Sequence, residues 1–312
     1  MSNDGCDLNK NWDLWEDCLI GDDQNSIFRQ IYTMNWDYAI FKVINEGRKI
    51  QVEKNPKDPR LNAPIQSLMD RAFLDHQCAA IRRVVDESRF GLEDENKGVF
   101  SLIALIKNIE LHWLELTREK YLEMRGKPYD YSEIKRKYDD FFRVEAQKGA
   151  GAFSVPKELD WESIEEVHKQ FDRISKTNKD ARKPDDVISE DKLHELIEKL
   201  ENCKEITKYV DKFIAHSATP ESRKAEGAED ISITLKKVLQ AQQDIYSVAE
   251  WISILLFGEG HMPLIWENPK FYDYLDVPLV DNDFEIERLR KVFEDFRKQT
   301  NDWMGLADKL IK

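Results

Sequence analysis

His216 closes the run Lys208-Tyr-Val-Asp-Lys-Phe-Ile-Ala-His216, just before a turn-forming stretch from Ser217 to Pro220. Helical spacing puts Ile206, Tyr209, Val210, Phe213 and Ile214 on one face, which must then be the buried one. Lys212 and His216 are four residues apart and share a flank beside Tyr209, while Asp211 falls on the opposite flank. An imidazole at the margin of an apolar face, near a helix end, is placed to titrate or to donate. A second polar stripe lies on Asp70 to Asp86, where His76 and Arg83 stand seven apart with Ala79 between them. Leu74, Cys78, Ile81 and Val85 form its apolar opposite. Arg82 and Arg83 are the guanidinium groups that could work with His216. The bland alternative for His216 is a helix cap or a buried hydrogen bond.

The run Asp211-Lys212-x-x-Ala215-His216, together with Arg82-Arg83 on an earlier helix, resembles the signature of the HEPN superfamily. The likeness is to its abortive-infection U-type branch, found in prokaryotic phage defence. It implies an all-α bundle, a homodimer and a metal-independent ribonuclease centre. In such a centre a histidine activates the 2′-hydroxyl or protonates the leaving oxygen, and an arginine stabilises the pentacoordinate phosphate. Members of that branch commonly read Arg-Asp-Lys-x-x-Ala-His. Here Val210 stands where the arginine would, and no arginine occurs from Cys203 to Pro220. Valine cannot bind phosphate, and Lys212 offers a point charge without the bidentate fork of a guanidinium.

The resemblance spans roughly residues 25–257, with about 128–188 as an insertion, and leaves three expectations open. One is RNA cleavage through His216, Lys212 and Asp211 with help from Arg83. The second, which the missing guanidinium favours, is a non-catalytic scaffold. It would bind RNA through Arg82, Arg83 and Lys208, or a protein such as an antitoxin or another defence component. The third is a helical interaction protein with no nucleic-acid role.

Other chemistry finds little support. Glu165-x-x-His168 has the spacing of half a di-iron site, but its only companion is Asp191-x-x-His194, so an exposed charged face is expected there. His112 and Glu115 share a face without a third ligand. No H-E-x-x-H, Walker loop, dinucleotide fingerprint or G-x-S-x-G elbow occurs. Neither a metal nor a nucleotide cofactor is expected.

Composition narrows the class. The formal charge of −14 repels phosphate backbones at long range and argues against non-specific coating of DNA. The acid is uneven: residues 1–25 hold seven Asp or Glu against one Lys. His168 to Lys183 instead carries Lys169, Arg173, Lys176, Lys179, Arg182 and Lys183, a run that reads as a solvated helix face fading into a linker or an exposed loop at Thr177 to Pro184. Cys6, Cys18, Cys78 and Cys203 are widely spaced, which suits a reducing compartment. No basic-then-apolar leader opens the chain, and the most apolar window, Val248 to Phe257, is too short to span a bilayer. A soluble, cytoplasmic protein is expected.

The elements that would position these groups are almost all helical. With only 12 glycines and 10 prolines, the chain has too few turns for a β-sandwich. Apolar residues at steps of three and four predict a short acidic N-terminal helix within 1–23. Further helices are predicted at about 25–47, 63–88, 98–125, 131–147, 158–176, 190–216, 231–257 and 283–311. Residues 24–257 read as one helical domain. After it come an aromatic-rich loop, 259–282, and a long terminal helix with a heptad-like stripe.

Overall fold

Helices form where apolar residues recur at three and four, and the all-α expectation holds. The computed structural model describes residues 8–54, 56, 63–87, 92, 96–148, 154–260, 264–265 and 282–303. The chain divides into two compact units, residues 1–265 and 266–312. In the first, α1 (Leu8–Ile20), α2 (Ile27–Lys54), α3 (Ala63–Val84), α4 (Leu102–His112) and α5 (Arg118–Met124) are followed by α6 (Ser132–Gln147) and α7 (Trp161–Ser175). The chain continues through α8 (Glu190–Lys199), α9 (Lys204–Tyr209), α10 (Pro220–Ala225) and α11 (Leu235–Ile252). The described part of the second unit is α12 (Asp283–Trp303), an amphipathic helix whose Phe284, Leu289, Val292 and Phe293 are exposed. No strand occurs among the described residues; Thr117 and Val187 make an isolated antiparallel bridge. Most of the aromatic-rich loop, and the terminal helix beyond 303, lie outside the described residues.

The core of the first unit is built on α11, which packs against α2, α3 and α8. Trp12 on α1 meets Phe257 and Tyr121 edge-on, and Trp15 is fully enclosed, its indole N–H donating to Asn108 at 2.6 Å. Enclosed indoles need such a partner. The last turn, Ser253–Phe257, widens to π-helical geometry, and its orphan carbonyls are met by the Tyr121 hydroxyl and by Arg125. Gly258 ends the turn at φ +73°, and the Arg125 guanidinium occupies the space a Cβ would need there.

Several expected elements divide. The helix foreseen over 98–125 breaks at residues 113–117 and restarts at α5, capped by the Thr117 hydroxyl. The first amide groups of α5 find tertiary partners, Arg118 N to Asp186 O at 2.7 Å and Glu119 N to Pro184 O at 3.0 Å. A helix start satisfied from outside can outcompete continuation. The helix foreseen over 190–216 is α8, a 3-10 turn (Leu200–Cys203), α9 and a π turn (Val210–Ile214).

The stretch Thr177 to Pro184 is largely exposed, as a loop there would be, although Arg182 anchors it to the body; Glu165 and His168, by contrast, are not on an exposed face. Both are buried, in a stripe with Ile164, Val167, Phe171 and Ile174 on α7. The reason is charge pairing at a distance. Arg118 is wholly enclosed and bonds Asp172 and Asp186, each at 2.8 Å, the His168 carbonyl at 3.1 Å and the Thr177 hydroxyl at 2.6 Å. Arg182, from that exposed stretch, bridges Glu165 at 2.9 Å and Asp172 at 2.7 Å. Tyr131 donates to the same Glu165 carboxylate. Burial alone would raise the Glu165 carboxyl, but hydrogen bonds from Arg182 and Tyr131 outweigh it and hold it at about 2. Burial lowers the His168 imidazole, whose Nε2 lies 3.1 Å from the Tyr129 carbonyl.

Removing one partner of such a cluster leaves the others enclosed and unpaired. R118A should therefore cost about 3–5 kcal/mol in urea unfolding; a loss below about 1 kcal/mol would match an exposed pair and refute the enclosure. The pH dependence has a definite sign. The Glu165 carboxyl is depressed in the folded state, so its contribution is present above its ordinary value of 4.5 and is lost as pH falls towards about 2. His168, also depressed, adds a loss that begins below its ordinary 6.5. Between pH 4.5 and 2 the wild type should lose on the order of 3 kcal/mol more than E165Q. Equal pH slopes for the two proteins would contradict this.

Candidate functional site

Five of the six sequence-predicted site residues line one cavity of about 750 Å³: Arg82, Lys208, Asp211, Lys212 and His216. Arg83 is exposed on α3 and outside that lining, so it is not a partner of His216 across the cavity. The floor is apolar, formed by Val85, Ile103, Ile197, Leu200 and Cys203. Burial pushes the Cys203 thiol up to about 12, which leaves it unreactive.

The π turn sets the geometry. The amide of Ala215 bonds the carbonyl of Val210 at 2.8 Å, five residues back, so one extra residue is accommodated in the turn. An extra residue rotates the rest of the helix by about 100° relative to an uninterrupted α-helix. This corrects the helical-wheel expectation in two places. Asp211, expected on the flank away from Lys212 and His216, lines the same cavity as both. Phe213, expected in the core, is 42% exposed and stacks on Tyr209. Val210 keeps its expected inward place at 3% exposure.

Every cation around the cavity has an acceptor. Arg82 donates to Asp86 at 2.6 Å and to Asp211 at 3.1 Å, which ties α3 to the π turn. Lys212 bonds Glu226 at 2.6 Å and the Ser222 hydroxyl at 3.2 Å. Lys208 donates to the Glu226 carbonyl, and Lys204 pairs with Glu201 at 2.5 Å. Arg82, Lys204, Lys208 and Lys212 thus face Glu87, Glu201, Asp211 and Glu226, and the lining is charge-balanced. His216 is exposed at the rim, and among the described residues no protein group holds its ring.

Helical spacing around His216 gave no hint of Glu226 and Ser222. They come with α10, whose start is Thr219 accepting from Ser222 N at 3.3 Å with Pro220 at the first helical position. Threonine followed by proline is a helix-start signal, and it is legible in the sequence. Chemically, the site offers a solvent-facing imidazole and neutralised ion pairs over an apolar floor. It offers no unpaired guanidinium to carry phosphorane charge. No family model matches the chain, and no curated protein or solved structure matches it either.

The position of Val210 yields a test. V210R, which restores the arginine of the resembled motif, forces a guanidinium into packed core. It should lower stability by at least about 3 kcal/mol, read by thermal or urea unfolding, and should yield no ribonuclease activity. A V210R protein that melts like the wild type and cuts RNA would show that this side chain can reach the cavity.

Proposed function

We propose that this chain is a HEPN-like, defence-associated scaffold of prokaryotic cytoplasm whose His216 cavity binds a protein partner and does not cleave RNA. The observation that carries it is the pairing of Arg82, Lys204, Lys208 and Lys212 with acidic or carbonyl groups of the chain itself. Binding a phosphodiester gains its affinity from uncompensated cations that release counterions, and a charge-balanced lining provides few. An apolar floor of this size, ringed by ion pairs, suits an apolar side chain with polar neighbours. The overall charge of −14 points the same way, since it repels RNA. The homodimer implied by the HEPN resemblance belongs to this proposal as well. A soluble protein agrees with there being no described helix long and apolar enough to cross a membrane.

A second reading keeps one favourable observation. His216 is exposed and shares its cavity with Lys212 and Arg82, so an RNA that displaced Glu226 and Asp211 would meet an imidazole and two cations. The two readings separate in one experiment. Wild type and H216A should leave tRNA and total RNA equally intact. A partner captured by wild type should be lost from A218W, in which the indole blocks the mouth beside His216. RNA cleavage that disappears in H216A would transfer the conclusion to the catalytic reading.

A further inference from the structure

Glu190 and His194 are four residues apart on α8, so both rise from one face. Glu110 reaches the same spot from α4, the helix packed against α8. One donor atom from each of the three, a carboxylate oxygen or an imidazole nitrogen, lies within 4.8 Å of the other two. His194 Nε2 stands 3.3 Å from Glu110 Oε1. Two ligands on one tetrahedral zinc ion, each bonded at about 2.0–2.1 Å, are about 3.4 Å apart. That pair has the spacing of a tetrahedral edge, and a Glu190 carboxylate oxygen lies within 4.8 Å of both.

Charge gives an independent reason. The neighbouring acids of α8 are neutralised: Asp191 by Lys176, and Glu195 by Lys176 and Lys192. Among the described residues no lysine or arginine pairs with Glu110 or Glu190, and their carboxylates converge on a single histidine. Two converging carboxylates repel unless a cation lies between them. The nitrogen donor distinguishes the group from a simple acidic patch, because imidazole selects zinc-like ions over magnesium or calcium. Glu110 is partly buried, while Glu190 and His194 are exposed, so an ion has a path in and water can take the fourth position.

We propose that Glu110, Glu190 and His194 form a site for a divalent transition ion of the zinc class, which staples α4 to α8. Ile103 of α4 and Ile197 of α8 both line the His216 cavity, so an ion here would also brace that wall. The site stands or falls independently of what the cavity binds.

The test uses the full chain, freed of metal by chelation and titrated with zinc chloride at pH 7. Calorimetry should give one ion per chain, and saturating zinc should raise Tm by about 5 °C. Magnesium at the same concentration should leave Tm unchanged. H194A and E110Q should each weaken zinc binding at least about 10-fold while keeping the wild-type helical circular dichroism. H76A, which removes a histidine paired to Asp37 elsewhere, should bind as wild type does. Absence of zinc binding by the wild type, or identical isotherms for wild type, H194A and E110Q, overturns the proposal.

Discussion

A guanidinium that leaves water entirely must recover its hydrogen bonds from the protein, and Arg118 makes that demand at the centre of the first unit. Two aspartates, a carbonyl and two hydroxyls answer it, and they come from α7 and from the segment after it. The consequence is topological. The segment 177–187 has to return across α5 to deliver Thr177 and Asp186, and in doing so its carbonyls cap the start of α5. It also brings Arg182 over Glu165, so one enclosed cation recruits a second and both lock α7 in place. The 128–188 segment, which looks like an insertion in sequence, is thus tied to the bundle by charge as much as by apolar packing.

The same pairing rule, in a wetter setting, shapes the cavity. Arg82 and Lys212 are partly exposed and would be available to a ligand if they stood alone. Asp86, Asp211 and Glu226 take them instead; the Asp211 pair ties α3 to the π turn and the Glu226 pair ties it to the end of α10, while Asp86 holds Arg82 from its own helix. Such pairs contribute modestly to stability, because solvent screens them. Their larger effect is on chemistry. A cation already bonded to a carboxylate gives little extra stabilisation to a phosphorane, since the ligand must first displace an internal anion. Under the proposed reading, the apolar floor and the rim would do the recognising, and a partner whose charges complement the existing pairs would fit them better than a polyanion.

Legibility in the sequence depends on the range of the interactions involved. Apolar spacing located α2, α3, α6, α7 and α11 because helical periodicity is local; Ile27, Ile31 and Met34 on α2 are buried as their steps predict. The break before α5 was not legible, since the amides that start it are satisfied by Asp186 and Pro184, almost seventy residues later. The enclosure of Glu165 and His168 did leave a signal: His168 falls inside the stripe Ile164, Val167, Phe171, Ile174. The polar identity of the pair outweighed its position, and the Arg182 that makes burial possible lies in a stretch without apolar period. At the site, Arg82 and His216 are linked in sequence by resemblance alone, and they do share a cavity. Arg83 is the wrong neighbour of the two, one residue further round α3. Only coordinates could separate them.

The π turn makes the difference between Val210 and the arginine of the resembled motif more than a matter of one side chain. In an unbroken α-helix, positions 210 and 211 lie about 100° apart and the residues after them continue that phase. Accommodating one more residue in the turn lets Val210 stay in the core while Asp211, Lys212 and His216 all come to the cavity. An aspartate on the cavity side then neutralises Arg82, the only guanidinium among the described residues that lines the cavity. An arginine at position 210 alone would place a charge in the core and leave Arg82 still engaged. The backbone register, the inward valine and the Asp211–Arg82 pair therefore act as one unit, and it leaves the cavity lining without a free guanidinium.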